Sequence, residues 1–140
     1  MKANELRVNN WYTSVKFGVP VQCELTDFSQ LDVMSDGAYN DPPIEEMFDP
    51  IPLTEEWLLK FGFEKHKIKE YYFKDCGDYE IQVVINAFSG TLNKEPNWFI
   101  SIMTGYGSQP VTLTRYYVHT LQNLYFALTG EELICNESKL

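Results

Sequence analysis

Two histidines and three cysteines are the side chains best suited to chemistry in this 140-residue chain, and their spacing limits what they can do. His66 stands in the charged run Glu64-Lys65-His66-Lys67, which reads as a solvated turn. His119 falls near the start of an apolar-periodic segment, off its main apolar face. With Arg115, Gln122 and Asn123 it can form a polar helix stripe, because residues three and four apart share a helix surface. A structural role, with these side chains bonded to neighbouring backbone or water, is the preferred reading; a ligand or partner contact is the other. Cys23, Cys76 and Cys135 lie far apart and form no CxxC pair, so they read as small hydrophobes. Zinc needs Cys and His at short spacing, and neither HxxxH nor HExxH occurs. Asp32-Val-Met-Ser-Asp36-Gly37 lacks the alternate oxygen ligands and closing Glu of a calcium loop. No GxSxG motif is present, and Gly105-Tyr106-Gly107, without a Walker lysine, reads as a hairpin turn. No catalytic residue, metal ligand or cofactor site is expected.

Charge is more informative. The net charge is −9, and ten acids fall between Lys16 and Lys60 with no Lys or Arg among them. The rest of the chain is near balance. Within that stretch Asp36, Tyr39, Asp41, Glu45, Glu46, Met47, Phe48 and Asp49 form a candidate partner-binding segment: carboxylates for a basic partner surface, with Tyr39, Met47 and Phe48 as apolar anchors. Such a segment repels phosphate backbones, so direct nucleic-acid binding is not expected. Adjacent acids on a helix point apart, so Glu45/Glu46 and Glu55/Glu56 do not form catalytic dyads.

The elements that would position these residues follow from periodicity. Hydrophobic residues make up 44% and aromatics 15%, ample for one core. Trp11 to Phe17, Gly18, and the alternation Val19/Val21/Cys23/Leu25 read as a hairpin, with Pro20 at an edge or a strand start. Asp27–Leu31 adds a helical turn or a third short strand. Residues 34–52, rich in Asp, Pro and Gly, read as a connector, with Ile44, Met47 and Phe48 docking as a short helix. Thr54 caps a helix from Glu55 to Phe61, Glu55 and Glu56 complement its dipole, and Gly62 stops it. Leu53 and Leu58 stand at the hydrophobic-staple positions. Strands follow at Glu70–Lys74, Tyr79–Phe88 and Trp98–Thr104, with Val111–Thr114 as a candidate last short strand, joined by short turns as an antiparallel meander. A closing helix runs from Arg115 to Thr129, with Thr114 as N-cap, Gly130 as its stop and Tyr117, Leu121, Leu124, Tyr125 and Leu128 as its apolar face. The expected fold is α+β: an antiparallel sheet of three or four strands with two helices on one face, preceded by a small N-terminal β unit. The expected divisions are 1–33 (β unit), 34–52 (connector), 53–134 (core) and 135–140 (frayed tail).

Two blocks, Pro50-Ile-Pro-Leu-Thr-Glu-Glu-Trp-Leu-Leu-Lys-Phe-Gly-Phe63 and Tyr117-Val-His-Thr-Leu-Gln-Asn-Leu-Tyr-Phe-Ala-Leu-Thr-Gly-Glu-Glu-Leu133, resemble an uncharacterised family of small proteins from Bacteroides-type bacteria and their phages or mobile elements. The opening Met1-Lys-Ala-Asn-Glu-Leu-Arg-Val-Asn-Asn-Trp11 is similar to the way those proteins begin. The resemblance covers about a third of the chain. It implies a bacterial or phage cytoplasm and carries no activity to transfer.

Three functions are compatible with these features. A non-enzymatic protein-interaction module fits the aromatic-rich scaffold and negative connector. An acidic inhibitor that mimics DNA charge fits ten acids without a base. A small hydrolase would need a cleft gathering His119, a carboxylate and a thiol from distant positions. The odd cysteine count and the apolar-poor N-terminus suit a cytoplasmic location, and no run suits a membrane span. Open sheet edges leave room for a homodimer.

Overall fold

The computed structural model describes residues 7–24, 47–86, 97–113 and 115–136. The candidate residues Asp36, Tyr39, Asp41, Glu45 and Glu46, the calcium-like run, Asp27–Leu31 and the Thr114 cap lie outside them. The chain is mixed α+β, with two antiparallel sheets and two helices among the described residues. It divides into two compact units, Met1–Leu53 with Tyr117–Leu133, and Thr54–Tyr116 with Ile134–Leu140.

The first unit holds a three-stranded sheet in the order β2-β1-β3, with β1 at Trp11–Ser14, β2 at Pro20–Gln22 and β3 at Phe48–Asp49. Pro20 opens the edge strand β2, where its missing N–H leaves no gap in the ladder. Gly18 turns the hairpin at φ 65°. The alternation after Gly18 buries only its far end: Cys23 is buried, Val21 half-buried and Val19 exposed. β3 arises inside the expected connector. Phe48 and Asp49 pair with Ser14 and Thr13 as strand; of the residues expected in a short helix, Met47 is helical, Phe48 is strand, and Ile44 lies outside the described residues. Phe48 packs with Tyr12 and Cys23, Met47 lying against them.

Helix α2, Val118–Thr129, completes this unit and packs on β1. It begins three residues later than the spacing predicts. Tyr117 is drawn into an antiparallel bridge with Pro52, and the Val118 N–H donates to the Ile51 carbonyl at 2.9 Å. The Thr120 hydroxyl accepts from the Tyr117 N–H at 3.0 Å. Gly130, at φ 72°, ends the helix as expected.

The second unit opens with helix α1, Glu55–Lys60. Thr54 caps it through its hydroxyl, which accepts from the Trp57 N–H at 3.4 Å. Its end is a Schellman motif: the Phe63 N–H donates to Leu58 and the Gly62 N–H to Leu59, each at 3.0 Å. Leu58 and Phe63, the pair such a motif brings together, are both buried. The Lys60 carbonyl accepts from the Asn136 N–H at 2.7 Å, so the tail expected to fray is tied down there.

A five-stranded meander follows in the order β4-β5-β6-β7-β8, one strand more than expected. The strands are Glu64–Lys65, Tyr71–Asp75, Tyr79–Asn86, Asn97–Thr104 and Gly107–Val111. The extra strand is the two-residue β4. β8 starts earlier than predicted because Thr104 pairs with Gly107, leaving Gly105-Tyr106 as a two-residue hairpin loop. One face carries Tyr72, Ile81, Val83 and Ile100, all buried.

Gly62 has φ 78°, and an added Cβ would stand 3.2 Å from the movable Lys74 ammonium, so backbone conformation and not crowding governs this site. Gly62→Ala is expected to lower stability by about 1–2 kcal/mol, the cost of a left-handed L-residue. Urea denaturation of the two proteins checks this.

Candidate functional site

The polar stripe of α2 is the best-developed cluster of chemically capable side chains among the described residues, and the fold turns most of it inward. Helical spacing puts Val118, Leu121, Gln122 and Tyr125 on one stripe with His119 beside it, and all five are buried. The buried face is therefore centred on His119 and Gln122 as much as on leucines. Asn123 is half-buried, and Arg115 is exposed and stands before the helix.

Gln122 is bound to backbone. Its amide oxygen accepts from the Trp11 N–H at 2.9 Å, and its NH₂ donates to the Asn9 carbonyl at 3.1 Å. The register explains the need. Extending the β1–β3 pairing beyond Thr13–Asp49 would place Pro50 opposite Tyr12 and Ile51 opposite Trp11. Pro50 falls at a position that exchanges no ladder bonds with β1, and the Ile51 carbonyl, which stands where the Trp11 N–H would donate, already serves Val118. The Gln122 carboxamide, a donor and an acceptor in one plane, supplies what the short strand does not. Asn9 itself sits at φ 70°, a conformation Asn tolerates better than most residues.

Asn123 works one turn position on. Its Oδ1 accepts from Asn10 Nδ2 at 2.7 Å and from Arg7 at 3.2 Å. Arg7 also pairs with Glu132 at 2.8 Å and lays its guanidinium 3.9 Å from the Phe126 ring centre. Because a guanidinium only donates, it fixes the Asn123 amide, which in turn fixes Asn10. The fully buried Asn10 Oδ1 is then left with no hydrogen-bond partner among the described residues.

His119 has no exposed surface. Its ring lies 5.2 Å from Tyr12 and 5.6 Å from Tyr117, in a run that continues to Phe48. It acts as a core ring and is closed to bulk solvent. Phe48, foreseen as a partner anchor, is likewise a core residue, and Met47 lies against the same cluster; Asp49 is exposed on β3. Burial pushes the Tyr12 phenol up to about 12. It also pushes the Cys76 thiol up, which works against a nucleophilic thiolate. No disulfide joins the three cysteines, and among the described residues no group of three or more His, Cys, Asp or Glu is placed to hold a metal.

His66 is more than a solvated residue. Its Nδ1 accepts from the N–H groups of Ile68 and Lys69 at 3.2 and 3.0 Å, closing the turn before β5. Its ring stacks 4.6 Å from Tyr71. That contact belongs to the outer face of the meander. There Tyr71, Val84 and Phe99 form one cross-strand row, and Asp75, Glu80 and Met103 another. Phe73 lies between the rows and opposite Glu64. Spacing alone gave no signal for this face, since its aromatics alternate with core residues that are equally apolar.

No protein-family model, curated protein or solved structure matches the chain. No helix among the described residues is long and apolar enough to cross a membrane.

Two predictions follow from the geometry of the first unit. Gln122→Leu keeps the volume but removes the pairing of the Trp11 N–H, and is expected to cost about 1–3 kcal/mol by chemical denaturation. The second concerns alkali. Below pH 10 Tyr12 is protonated in both the folded and unfolded states, and its contribution is intact. Between pH 10 and about 12 the unfolded chain ionises while the folded one keeps its proton, so stability falls as pH rises. The loss attributable to Tyr12 is roughly 2–3 kcal/mol. Tyr72, also pushed up to about 12 by burial and by its hydrogen bond to Glu55, acts in the same direction. Tyr12→Phe is expected to flatten part of the pH 10–12 decline, measured by denaturation at stepped pH.

Proposed function

We propose that this protein is a non-enzymatic protein-interaction module of bacterial or phage origin, acting in the cytoplasm. The observation that supports this reading best is the tip of the β1–β2 hairpin. Val15 is 51% exposed, Phe17 68% and Val19 49%. The five-residue connection that carries them, residues 15–19, is held by backbone bonds. The Ser14 N–H donates to Val19 at 2.9 Å, and the Gly18 N–H donates to Ser14 at 2.7 Å.

Three apolar side chains displayed together on a hydrogen-bonded loop are unfavourable in water and mark a contact surface. A loop already ordered loses little further entropy on docking. The polar groups of α2 that could have served chemistry are engaged in holding residues 7–11. The acidic run between Lys16 and Lys60 fits a partner with a basic surface.

A photo-crosslinking residue at position 17 is expected to give one dominant protein adduct in host cells. Phe17→Ser should then weaken binding of that purified partner roughly tenfold or more, the effect of truncating an aromatic hot spot, with an unchanged thermal midpoint. Unaltered affinity in Phe17→Ser would contradict the reading.

A further inference from the structure

The outer face of the meander has a chemical pattern that neither the core nor the hairpin accounts for. Antiparallel sheets that face water on one side usually present polar residues there. This face presents the row Tyr71–Val84–Phe99, with Phe99 47% exposed and Tyr71 and Val84 half-buried. Phe73 continues it toward the turn at Gly77. The rings of Tyr71, Phe73 and His66 brace one another at 4.6 to 6.3 Å.

Two residues further along the strands from Phe73 the chemistry changes. Asp75 and Glu80 stand opposite each other, and Glu64 flanks Phe73 on the edge strand. Gln82 donates to Glu80 at 2.6 Å and so holds that carboxylate in place. None of the described strand side chains on this face is basic: Lys65 and Lys74 occupy the opposite face by the same alternation. The face is apolar at one end and anionic at the other.

We infer that this face docks an extended segment of a partner protein carrying an apolar side chain and a Lys or Arg four residues apart. The spacing comes from the sheet itself. Tyr71 and Asp75 are four residues apart on one strand, about 13 Å at the usual rise. An extended segment laid along the strands has the same rise, and its residues i and i+4 point to the same side. The apolar side chain covers the Tyr71–Val84–Phe99 row while the cation reaches Asp75 and Glu80, and neighbouring rings add cation–π attraction. Phosphate-bearing partners and anionic membranes are repelled by the same carboxylates. This inference rests on the protein being an interaction module, but it concerns other residues than those of the hairpin tip.

The test uses the full chain, labelled for amide NMR, and a synthetic blocked peptide Thr-Leu-Thr-Ser-Thr-Arg-Thr, in which Leu and Arg are four residues apart. Saturable shifts are expected at residues 71–75, 80–84 and 99–103. Replacing Arg by Glu in the peptide, or moving it two residues closer, should weaken binding at least threefold, as should Asp75→Asn with Glu80→Gln. Phe99→Ser should weaken it similarly while leaving the spectrum of a folded protein, and Phe17→Ser should leave it unchanged. Shifts that do not saturate, that map elsewhere or that ignore the Arg-to-Glu change would overturn the inference. So would tighter binding of an oligothymidylate to the same residues. Failure here with a Phe17 crosslink intact would remove this surface alone; loss of both would remove the interaction reading.

Discussion

A single buried carboxamide sets the conditions for the first unit. β1 needs partners on both sides, but β3 is two residues long and the Ile51 carbonyl beyond it is taken by the Val118 N–H. Gln122 closes the gap by donating to Asn9 and accepting from Trp11. An unmade backbone bond in a buried place costs about 1–3 kcal/mol, so α2 must present an amide at this position or lose the strand's start. The neighbouring Asn123, Asn10 and Arg7 extend the arrangement. Their donors and acceptors are directional, so they fix rotation and register where leucines alone would allow sliding.

That structural duty explains why the groups with chemical potential in α2 are not displayed. His119 is closed between tyrosine rings, and Gln122 and Asn123 are committed to residues 7–11. What the described residues show to their surroundings is different: an apolar hairpin tip, and a half-aromatic sheet face with an acidic end. On the interaction-module reading we propose, these two are the surfaces for recognition, carried by strands and a tight loop.

Local signals in the sequence placed much of the architecture. Thr54, the acidic first turn and Gly62 placed α1, and period-two alternation placed β6 and β7, because each of those features acts within a few residues. The start of α2 was misplaced because Tyr117 is claimed by a bridge to Pro52, sixty-five residues away. β3 was invisible because two residues carry no periodicity. Spacing gave the stripe Arg115, His119, Gln122 and Asn123 no direction: Arg115 stands exposed before the helix, Asn123 is half-buried, and His119 and Gln122 are buried. An amide next to leucines reads as the edge of an apolar face unless its distant backbone partner is known. Phe48 reads as an anchor in an acidic connector until Tyr12 and Cys23 are seen beside it. Asp36, Tyr39, Asp41, Glu45 and Glu46 fall outside the described residues, so their candidacy rests on sequence alone.

The most direct measurement is amide hydrogen exchange at Trp11 under native conditions. If Gln122 completes the strand, Trp11 exchanges as slowly as Tyr12 in the wild-type protein, and Gln122→Leu speeds Trp11 by at least tenfold more than it speeds Tyr12. Rapid exchange of Trp11 in the wild-type protein, or equal acceleration of both amides, would contradict the account.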